Sequence, residues 1–128
     1  MLIPVALRRR TYLWDPASGE LSRLSELEAA LLAEAPQPMP AACPTATRYA
    51  VAKYDSGAVD EAYAALRDRY TASTDTDSPR LILPEGASLS LAEAALRAAG
   101  AAFPHTPIAL TGDAEVLALA DTLGILRA

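Results

Sequence analysis

Apolar and polar positions change period along the chain, and each change predicts an element. In "RRRTYLWDPASGELSRL" (8–24) a β-prone run, Thr11–Trp14, leads into Asp15, Pro16 and Gly19 and then a short return run. Aspartate accepts backbone N–H groups in such a turn, proline presets the first central φ, and glycine takes a positive one, so a hairpin is expected. "LSELEAALLAEA" (24–35) places Leu24, Leu27, Ala30 and Leu31 on one helical face, with Ser25 and Glu28 at capping-box spacing. Four prolines between 36 and 44 then forbid a helix, so this stretch is a connector. "TRYAVAKYD" (47–55) alternates and predicts a strand. "SGAVDEAYAALRDRY" (56–70) follows as a helix with Ser56 at its cap and Val59, Ala62, Tyr63, Leu66 and Tyr70 on one face.

Beyond a polar loop (71–79) the same alternation recurs. "RLILP" and "TPIAL" are short apolar runs, the pattern of strands covered on both faces. Each precedes a helix. In 88–100 Ser90 and Glu93 have capping-box spacing and Gly100 stands as the stop; in 113–124 Asp113 opens the helix and Gly124 closes it. Strand followed by helix three times over implies an α/β fold. The expectation is a single domain over 1–128: an N-terminal β-hairpin, strands near 47–54, 80–83 and 107–111, and four helices on a mixed sheet.

Composition narrows this picture. Of 128 residues 52% are hydrophobic but only 5% aromatic, so the core is built from Leu, Val, Ile and closely packed Ala. One cysteine, Cys43, forms no internal disulfide and no cysteine-based zinc site, which points to a reducing cytoplasm. "LIPVAL" precedes its arginines, the reverse of a signal peptide, and no apolar run reaches the ~20 residues of a membrane span. A net charge of −5 repels duplex nucleic acid on average.

Few residues carry a pattern that chemistry needs. GxGxxG, GxxxxGK[ST] and GxSxG are missing. The single histidine, His105, lies in a loop without a nucleophile at motif spacing, and Cys43 has no pairing histidine. Lys53 reads as the solvent-facing lysine of its strand. Arg8, Arg10, Tyr12 and Trp14 alternate, which on a strand sets them on one face. Arginine with aromatics can hold single-stranded RNA. A lone basic strand in an acidic chain favours a protein partner, with an exposed β-prone edge available for pairing. Asp113 follows a strand end, where ligands of open α/β sheets sit, and aspartate there is also among the best helix caps. The cap is the expectation.

The tail "LTGDAEVLALADTLGI" (110–125) resembles the last strand and helix of PIN-domain ribonucleases. That resemblance implies a carboxylate cluster binding Mg²⁺ or Mn²⁺, with Asp15 in "YLWD" as first ligand, Asp60 or Glu61 in the middle, and Glu93 and Asp113 last. Such a pair of metals would activate water against a phosphodiester. Against this alternative stands the reading that the residues favour: a cytoplasmic protein-binding module without catalytic activity or cofactor, first of all self-associating as a homodimer.

Overall fold

A computed structural model describes residues 1–128. It is an α/β fold in two compact units, one formed by Met1–Arg23 with Ser73–Ala128 and the other by Leu24–Ala72.

In the first unit, β1 (Ile3–Leu7), β2 (Arg10–Trp14) and β3 (Leu21–Arg23) form an antiparallel sheet in that order. Leu7 pairs with Arg10, so Arg8 and Arg9 are the whole β1–β2 turn. Trp14 pairs with Leu21 across the Asp15–Gly19 turn. That hairpin follows from its turn residues: Gly19 has φ +87°, and the Asp15 carboxylate accepts from the Ala17 N–H at 3.1 Å and the Ser18 hydroxyl at 3.1 Å. Ile3, Val5 and Leu7 share a face with Tyr12 and Trp14, and this face lies on the core.

β4 (Arg80–Ile82) and β5 (Ala109–Thr111) pair in parallel, joined through α4 (Leu89–Ala102). Antiparallel and parallel pairing both occur, divided between two sheets. Only one face of β4 and β5 is covered: Leu81 is buried while Arg80 and Ile82 are exposed. The cover expected on both faces is thus incomplete on the side of Arg80 and Ile82, where Ile82 lies over Gly19 at 2.9 Å from an added Cβ. α4 buries Leu91, Ala92, Ala95, Leu96 and Ala99 along one stripe, packing on β1 and on α5 (Ala114–Thr122), which contributes Val116 and Ala120. α5 ends as read, with Gly124 at φ +73°. The Ile125 N–H bonds the Ala120 carbonyl and the Gly124 N–H bonds that of Asp121, a Schellman pair.

Two details of α4 differ from expectation. Ser88, not Ser90, is the cap, accepting from the Leu91 N–H at 3.1 Å, so the helix starts earlier. Gly100 lies inside it; a Cβ there would stand 2.9 Å from Ile125 Cδ1, so the glycine answers a close approach rather than a stop.

The regular elements of the second unit are all helices: α1 (Glu26–Glu34), α2 (Thr45–Ala50) and α3 (Ser56–Ala72). α1 has the expected capping box, and α3 buries Val59, Tyr63 and Leu66 as expected, capped one residue early by Asp55. The strand expected at 47–54 is instead α2 and the turns after it. Its buried residues, Thr47 and Val51, are four apart, and Tyr49 between them is 85% exposed. That is the helical period, which the β-branched and aromatic residues masked. Lys53 accordingly lies in a turn, exposed, over the Tyr54 ring and 3.7 Å from Glu26.

Candidate functional site

The residues that could carry chemistry are held apart. Asp113 has extended backbone geometry at the start of α5 and accepts from the Val116 N–H at 3.0 Å, so it is the helix cap. Gly112 before it has no room for a side chain, with Val116 Cγ1 2.8 Å from an added Cβ. Asp15 holds its turn, Glu93 is paired with Arg97 at 3.0 Å one turn along α4, and Asp60 is bonded by Arg48. Asp15, Asp60, Glu93 and Asp113 are thus each engaged by a nearby partner, Glu61 is exposed on α3, and no three of the chain's His, Cys, Asp and Glu residues gather where they could hold a metal ion. A shallow cleft does open beyond the carboxyl ends of β4 and β5, lined by Leu83–Ala87 and Thr111–Asp113 with Val116. Its charged groups, Glu85 and Asp113, are of one sign.

Cys43 is half-buried in the connector, its thiol 3.8 Å from the Pro44 carbonyl. Burial raises its pKa, Arg48 opposes the shift and Asp60 adds to it. Less thiolate forms than on a free cysteine, which suits a structural thiol. His105 is exposed in the loop after α4.

The arginines form the other feature. Arg8, Arg9 and Arg10 are all exposed and none stands within ion-pair distance of a carboxylate. With Leu7 and with Ser88 and Ser90 of α4 they line a cleft of about 530 Å³. Arg8 has φ +56°, the one non-glycine residue of the chain at positive φ. A two-residue hairpin turn wants positive φ at its first central position, where glycine is unstrained and arginine is not.

This geometry revises the face expected from alternation. Arg10, Tyr12 and Trp14 do share one face of β2, but Arg8 belongs to the turn before it. Along that face exposure falls from Arg10 through half-buried Tyr12 to fully buried Trp14. Trp14 donates through Nε1 to the Arg80 carbonyl at 2.7 Å and meets the Phe103 ring edge-on at 5.8 Å. It is a core residue with no face to offer a base or a partner. β2 is also an inner strand, paired with β1 along its whole length and with β3 along Tyr12–Trp14. Alternation alone missed Arg9, Ser88 and Ser90. The signal for Arg9 was the spacing of two β-prone runs, "IPVAL" and "RTYLW", by two residues; the usual Asn-Gly turn chemistry was not there to mark it.

The chain matches no protein-family model, and no curated protein or solved structure matches it. Its helices include none long and apolar enough to cross a membrane.

Proposed function

We propose that the chain is a cytoplasmic protein-binding module without catalytic activity, whose docking point is the Arg8–Arg10 turn and whose first partner is a second copy of itself. The observation that carries this reading is the cluster of three arginines, unpaired and open on a cleft, in a chain of net charge −5. Without those three the remaining charge is −8, from −5 less 3, so a second copy presents the acidic surface that such a turn attracts. A dimer closed by twofold symmetry would set each turn against the partner's carboxylates. The lone cysteine, which can form no internal disulfide, suits a reducing cytosol.

Light scattering after size exclusion, run over a range of concentrations at low and at 0.5 M salt, tests the proposal. The expected result is a dimer that dissociates with salt and is lost in the Arg8→Ala, Arg9→Ala, Arg10→Ala variant. A strict monomer at high concentration that also ignores a polyglutamate peptide removes the reading. A thermal shift with Mn²⁺ that vanishes in Asp113→Asn would instead favour the metal-dependent nuclease.

A further inference from the structure

We infer that the arginine cleft recognises a phosphate monoester on a side chain of the bound protein, an inference that rests on the proposed docking role of the same turn. The three guanidinium groups are what call for an anion. They come from three consecutive residues, Arg8 and Arg9 of the two-residue turn and Arg10 at the start of β2, and so concentrate like charge that a bound anion would offset. No carboxylate of the chain supplies it. The side-chain polar groups of the wall are the three arginines and the hydroxyls of Ser88 and Ser90. It has no side-chain carboxylate to repel an anion.

The kind of anion follows from the donors. Arginine presents a rigid planar fork that fits two oxygens at once. One such fork satisfies a carboxylate, whose two oxygens lie in a single plane. Three forks and two serine hydroxyls among the residues lining one cleft of about 530 Å³ suit an anion with oxygens in several directions and a charge near −2. A phosphorylated serine or threonine has that shape and charge. Arg8 sits where glycine would be free of strain, so its guanidinium is present despite the backbone conformation. The cleft at the ends of β4 and β5 provides an internal contrast: lined by Glu85 and Asp113, it should leave the same probe unbound.

The test uses the full chain and three small probes at matched ionic strength: N-acetyl-phosphoserine amide, N-acetyl-glutamate amide and inorganic phosphate. Binding is read from arginine Nε–Hε and Ser90 amide shifts by NMR. The expected order puts phosphoserine amide at least tenfold tighter than glutamate amide. The Arg8→Lys, Arg9→Lys, Arg10→Lys variant keeps the charge and should lose that preference, with its fold checked by an otherwise unchanged spectrum. Equal binding of the two amides overturns the inference and leaves basic docking standing. Inorganic phosphate that binds while phosphoserine amide does not also overturns it, since the cleft would then serve a free ion. No shift with any probe, in a chain that also stays monomeric, removes both the inference and the docking reading.

Discussion

Strand β2 has a turn at each end, and the two are built in opposite ways. At its C-terminal end every residue relieves a local demand. Asp15 takes up an N–H and a hydroxyl, and Gly19 occupies the positive φ while leaving room for Ile82. At its N-terminal end nothing is relieved. An arginine holds the positive φ, and its charge lies beside two more of the same sign. The first turn is explained by the fold it closes. The second is less stable than a glycine-containing turn would be, and so calls for a reason outside the fold.

Substitutions can sharpen or break this contrast, each read as a shift in denaturation midpoint at constant slope. The largest effect is expected at Gly19→Ala. It combines a left-handed backbone with a Cβ 2.9 Å from Ile82, and should cost about 2–4 kcal/mol. Asp113→Ala should cost about 0.5–2 kcal/mol in chelator, while Asp113→Ser stays near neutral, because serine caps as well. A stabilised Ala variant would show that Asp113 is held under repulsion and is more than a cap. Asp15→Ala should cost about 1 kcal/mol through the lost turn bonds. The smallest change has the opposite sign: Arg8→Gly should stabilise by about 0.5 kcal/mol, strain relief outweighing the added freedom of the unfolded chain. If Arg8→Gly destabilises instead, the two turns are alike and the functional reading of the arginines loses its structural support.

The first turn was legible in the sequence and the second was not, for the same physical reason. Asp, Pro and Gly act on their own backbone, so their effect is local and visible in order along the chain. The arginines act on what lies across space, and Ser88 and Ser90 reach their cleft from 80 residues away. Local signals likewise placed the Ser25 capping box, the Asp113 cap and the Gly124 stop. Non-local packing decided the rest. Thr47–Val51 alternates as a strand would, yet buries residues four apart. Gly100 looks like a helix stop but makes room for Ile125. The connector after α1 shows the limit most plainly. Its prolines announce only that no ladder forms there. Its carbonyls are taken up by distant side chains: Tyr63 donates to Pro40 at 2.6 Å, Arg67 to Met39 at 3.3 Å, and Thr47 to Glu34 at the end of α1 at 3.4 Å. Nothing in the order of residues names those pairs.

Pro4 carries a consequence of another kind. β1 is the outer strand of its sheet, and Pro4 pairs with Leu13 at a position whose N–H would point away from β2. Proline has no such N–H, so the rim of this sheet lacks a donor in mid-strand. The parallel pair is fenced too. Residues 16 and 19 bond one side of β4, and the Leu126 carbonyl and Ala128 N–H bond Ile108 beside β5. The β1 rim and the flanks of the parallel pair therefore offer another chain few free backbone groups, which opposes edge-to-edge pairing there.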